Sequence, residues 1–129
     1  MPLIQRRDNG SAVVDFCLVM VALVPLVLGI MQVALVLHVR NTMTSAASEG
    51  ARHGATLGGG SDAGAQRTRQ LIAASLADDY ATQVEAYPSL VEGYPGMVVR
   101  ARASVPALGL FGPGVAVEVE GHAVQEVTP

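Results

Sequence analysis

A chain of 129 residues has room for one small domain, or for an anchor and a smaller domain. Half of it is hydrophobic, with three Tyr, two Phe and no Trp, and the net charge is −3 without a single lysine. The lack of a basic patch with interleaved aromatics argues against a nucleic acid partner, and the lone Cys17 excludes an intrachain disulfide.

Residues 1–10 (MPLIQRRDNG) form a short polar, leader-like head. From Phe16 to Leu37 there follow 22 residues without a charge, in which Gln32 is the only clearly polar side chain. As an α-helix this run is about 33 Å long, enough to cross a hydrocarbon core of about 30 Å with little tilt. It exceeds the apolar region of a signal peptide, and no small-x-small site follows it, so removal at its end is not expected. The expectation is a single-span membrane protein that uses membrane lipid as its surroundings. Charge alone leaves orientation open, because Arg6 and Arg7 are balanced by Arg40 and Arg52.

Helical character is expected to continue past the membrane, so that residues 11–57 make one span with its extension. Ala46, Gly50 and Gly54 recur every four residues, as do Ala47, Ala51 and Ala55. Small residues at that spacing let another helix backbone approach closely; the alternative is an alanine-rich helix of ordinary propensity. Two glycines, each costing about 1 kcal/mol inside a helix, favour the packing face. Residues 58–64 open with three glycines and read as a flexible hinge. A phosphate loop is not supported, since no Lys-Ser/Thr follows and no strand precedes.

Asp62 is suited to cap a second helix over Ala63–Val84, with Ile72, Leu76, Tyr80 and Val84 on one buried stripe. Tyr87-Pro88 and Tyr94-Pro95-Gly96 read as turns. Met97–Val105 and Val115–Val119 each alternate apolar and polar residues, which predicts two half-buried strands, with His122–Val127 as an extension of the second. Paired as a hairpin, they put Arg100 and Arg102 on one solvent face with Glu118 and Glu120. The fold class expected is α+β: a long N-terminal helix, then a small domain (65–129) with one helix and an antiparallel hairpin or small sheet. The connection Pro106–Gly114 (PALGLFGPG) is apolar. Leu108, Leu110 and Phe111 there either fold back over the sheet or dock on a partner or the membrane surface. With 72 residues after Leu57, the domain needs help from the long helix or from neighbours.

No catalytic set is visible. His38, His53 and His122 are far apart, no Cys or acid cluster stands at metal-ligand spacing, and the serines lack a nucleophile context. The expectation is a non-enzyme with no cofactor, no metal and no apparent small-molecule substrate. The informative site is Gly10-Ser-Ala-Val-Val-Asp-Phe16, because Asp15 carries a carboxylate into the mouth of the span, where it is costly without a partner. Cleavage after Gly10 exposes an α-amine on Ser11. An axially shifted neighbour can bring that amine to Asp15 and set the stagger between subunits. Alternatively Asp15 snorkels to headgroup water or favours the helix N-terminus through the macrodipole.

The stretch Gly10-SAVVDF, the apolar span and then Leu37-HVRNTMTSAASEGARHGA closely resemble the TadE-like family of pilus-assembly proteins, pseudopilins of the tight-adherence (Flp-type) secretion system. The resemblance covers roughly Arg6 to Ala55, and the Ala-Ala-x-Glu-Gly-Ala-Arg run at 46–52 is its most specific part. It implies cleavage between Gly10 and Ser11 by a prepilin peptidase, a registration role for Asp15, and other pilins or pilus-assembly proteins as partners. It also implies a cytoplasmic N-terminus and an exported C-terminal domain. Asp15 fills a position where such precursors usually carry Glu. The other reading is a signal-anchored extracytoplasmic binding module without a pilus role, which would keep its leader.

Overall fold

The computed structural model describes residues 8–108 and 112–127. One helix, α1 (Asp8–Ala55), runs for 48 residues and contains Pro25 without interruption. Helix α2 (Ser61–Ser75) follows, then a 3-10 turn (Asp78–Ala81) and three strands: β1 (Gln83–Val91), β2 (Tyr94–Val105) and β3 (Val115–Val124). The strands form an antiparallel sheet in the order β1-β2-β3. This is an α+β fold in which a helical layer covers one face of a small sheet.

The core lies between the last third of α1, α2 and the inner sheet face. Val39, Met43 and Ala47 of α1 meet Ile72 of α2 and Val99, Ala101, Val105, Val117 and Val119 of the sheet. The compact part therefore draws on α1 as well as on everything after it, and this is how so short a segment assembles a core. Two glycine contacts allow the close approach. A Cβ on Gly50 would strike the Thr68 side chain and come within 2.7 Å of the Gly64 carbonyl. One on Gly121 would run into the Ala47–Ser48 backbone, so β3 lies directly on α1. Thr68, fully buried, donates to the Gly64 carbonyl at 2.9 Å.

Three expectations about the middle of the chain need correction. The second helix ends at Ser75 rather than reaching Val84. Tyr80 sits in the 3-10 turn and Val84 points inward from β1, so the spacing of four continues across a change of structure. The N-cap is Gly60, and Asp62 lies within the first turn, where its charge complements the helix dipole. Tyr87-Pro88 is not a turn but part of β1, an edge strand, where a proline breaks no sheet hydrogen bond. The turn between β1 and β2 is Glu92-Gly93, both at positive φ (52° and 87°), which suits a two-residue hairpin. Tyr94-Pro95-Gly96 therefore opens β2.

The β2–β3 register places Arg100 opposite Glu120 and Arg102 opposite Glu118. Arg102 Nε donates to Glu118 Oε2 at 2.8 Å and Arg100 Nη2 to Glu120 Oε2 at 3.2 Å. The Glu120 carboxylate, foremost, and then the nearby Tyr87 hold the Arg100 guanidinium more firmly protonated than usual. The Arg102 pair is half exposed on both sides, so water and salt weaken it. Arg102→Ala is expected to cost only about 0.2–1 kcal/mol in a denaturant titration, and less at high salt.

Candidate functional site

The first half of α1 touches little else in the chain. Phe16, Leu18, Val21, Leu26 and Ile30 are all more than half exposed, and the most apolar 18-residue window of the helix has no buried residue. A helix apolar on every side has no stripe to lay on a protein core, and its match is a medium apolar all round. By length and composition it can cross a membrane once.

Gly10, Ser11 and Asp15 all lie in this bare part of α1 and are exposed. Ser11 and Asp15 are four residues apart and so share a side of the helix. Nothing stands within 4 Å of where a Cβ on Gly10 would be. The small residues farther along are differently placed. Ala46, Ala47, Gly50, Ala51 and Gly54 are all buried. A Cβ on Gly54 would lie 3.2 Å from Gly64 Cα, and one on Gly64 would lie 3.0 Å from the Gly50 carbonyl. The helix that approaches them is α2 of the same chain. In the glycine-rich link after α1, Gly60 N–H donates to the Gly54 carbonyl at 2.9 Å and Gly64 N–H to the Gly60 carbonyl at 3.0 Å.

Gln32 is the one clearly polar side chain of the uncharged run. Its Nε2 donates to the Pro106 carbonyl at 3.2 Å, and its Oε1 accepts from Leu108 N–H at 2.7 Å. Both ends of the amide are thereby used to hold Pro106–Leu108, the start of the β2–β3 connection, against α1. A lone amide in an uncharged run was the available signal, since such a group needs a partner. Leu108 is half-buried there; Leu110 and Phe111 lie outside the described residues. Among the described residues no three His, Cys, Asp or Glu side chains stand close enough to hold a metal.

Residues 10–52 match the family model described as TadE-like protein. The chain carries a TadE-like segment. That segment runs from Gly10 through the bare half of α1 and on into the part that packs beneath α2 and the sheet. The rest of the fold lies beyond the TadE-like match. No curated protein and no solved structure matches the chain. The TadE-like segment supports, in general terms, a protein associated with Tad pili.

Proposed function

We propose that the protein is a membrane-anchored, non-catalytic TadE-like pseudopilin or minor pilin that takes part in assembling a tight-adherence pilus or secretion apparatus. The observation that supports this most is that the family match begins at Gly10 and covers the apolar first half of α1, which the described residues of the compact part leave bare. In this reading α1 crosses the cell membrane once, with residues 1–10 in the cytoplasm and the compact part outside. A prepilin peptidase cuts between Gly10 and Ser11, and the partners are membrane lipid, that peptidase and other pilins or assembly proteins.

Processing is the decisive test, because a signal-anchored binding module keeps its leader. Protein taken from its native membrane is expected to begin at Ser11 by intact mass and N-terminal sequencing. Gly10→Val, which puts a branched side chain at the cut, should leave the precursor uncut while the protein stays in the carbonate-washed membrane fraction. A full-length mass of 13.3 kDa in cells with an active prepilin peptidase would overturn the pilin reading in favour of the anchored module. External protease should reach the compact part once the cell wall is removed. Protection there would reverse the orientation.

A further inference from the structure

The two edges of the sheet are built differently. At β1, Arg69 Nη2 reaches over from α2 and donates to the Val84 carbonyl at 2.9 Å. Farther along the same edge Pro88 has no N–H to offer. A strand approaching β1 therefore meets an occupied acceptor and a missing donor, devices that keep an edge from pairing. Strand β3 has neither: it contains no proline, and its register with β2 runs without a bulge. Gln125 N–H continues the ladder to the Pro95 carbonyl, whereas Glu126 N–H points the other way, to the Ala55 carbonyl. By the alternation of a ladder, Glu118, Glu120 and His122 also turn their N–H and C=O groups away from β2. All three residues are exposed, and among the described residues no backbone group bonds to them on that side. An open edge of this kind is a template for one more strand.

A second copy of the chain does not fit that edge. Its β1 is closed, and β3 runs in the direction of α1, from Gly121 on Ala47 to Glu126 at Ala55. Two copies that span one membrane therefore bring their β3 strands together parallel, with like residues level. A parallel ladder instead sets each outward-facing residue opposite one that faces away. Charge narrows the occupant further. Glu118 and Glu120 are half exposed, and β3 carries no Lys or Arg. Their ion-pair partners, Arg100 and Arg102, both stand on β2, so a strand added on the other side can bring its own cations level with them. We infer that the β3 edge receives an extended basic segment of another protein as a fourth strand, with Lys or Arg at alternate positions facing Glu118 and Glu120. The inference rests on the spanning role proposed for α1 only where it sets aside a second copy.

The test uses the full chain in detergent at low salt, with a short synthetic peptide of alternating Val and Lys as the probe. The same peptide with Glu in place of Lys is the control. Followed by NMR hydrogen exchange, the Glu118, Glu120 and His122 amides should exchange freely in the chain alone. Near saturation with the Lys peptide they should slow by about tenfold, while the Val117 and Val119 amides, bonded to β2, stay protected throughout. His122→Pro removes one outward N–H and should weaken the Lys peptide by about tenfold, with Val119 still protected. If that variant loses the sheet, Ala116→Pro puts the same question from the other end of the edge. Exchange that the Lys peptide leaves unchanged overturns the inference, and equal slowing by the Glu peptide overturns the basic occupant. Protection in the peptide-free chain also overturns it: protection that falls on dilution assigns the edge to a second copy, and protection that does not assigns it to the chain itself. None of these outcomes requires a membrane, so failure here leaves the spanning role of α1 to its own test by carbonate washing.

Discussion

Valine in place of Gly121 is expected to pry β3 away from α1 and expose the compact part to protease. The added Cβ alone would meet the Ala47–Ser48 backbone. A colliding backbone cannot rotate aside as a side chain can, so the strand or the helix must move as a whole. Overpacking of this kind costs about 1–3 kcal/mol and occasionally more, a large part of the margin of about 5–15 kcal/mol that holds most domains folded. The readout is trypsin digestion of the full chain in detergent. Arg100 and Arg102 lie inside β2 and become good sites when the sheet opens. Cleavage there should rise at least about fivefold for 1 kcal/mol or more of lost stability, while the bare half of α1 stays helical. His122→Val, at the next position but exposed on the outer face, is expected to stay within about 0.5 kcal/mol of the parent. Equal resistance of Gly121→Val and parent would mean that β3 does not rest on α1.

Where one physical rule governs a segment, the sequence discloses its structure. The uncharged run of α1 shows its nature through length alone. Strands β2 and β3 show theirs through alternation, and the Arg and Glu positions match in the hairpin register. The middle of the chain is harder because two rules overlap. Leu76, Tyr80 and Val84 keep a helical spacing, but all three reach the same core from three different kinds of backbone. Pro88 reads as a breaker, and only the knowledge that β1 is an edge strand makes it harmless. The glycines mislead in a similar way. By composition Gly58–Gly60 suggest slack, yet the turn is closed by backbone hydrogen bonds. At Gly50, Gly64 and Gly121 the missing side chain serves close approach, which depends on a partner far away in sequence. Gln32 belongs to the same class, since its partners stand 74 and 76 residues away.

Loss of the carboxylate in Asp15→Ala is expected to leave membrane insertion intact and to impair pilus assembly. Asp15 is exposed on the bare half of α1, with exposed Val14 and Phe16 beside it, and no side chain of its own chain is hydrogen-bonded to it among the described residues. An ionised group at the edge of lipid seeks water, a helix N-terminus or a cation. If processing frees the Ser11 amine, a neighbour displaced along its axis can supply the cation, and the pair then fixes the stagger between the two helices. Removing one member of a buried pair costs about 3–5 kcal/mol, because the other is left charged and unpaired. That corresponds to at least about a hundredfold loss of association, enough to dissolve a weak oligomer. Insertion should not suffer, since alanine makes the span more apolar. Asp15→Glu keeps the charge and lengthens the reach by one methylene, so assembly should survive. The measurements are the amount of sheared surface pili and the protein retained in carbonate-washed membranes. Normal piliation by Asp15→Ala cells would rule out registration and leave Asp15 to headgroup water or the helix dipole.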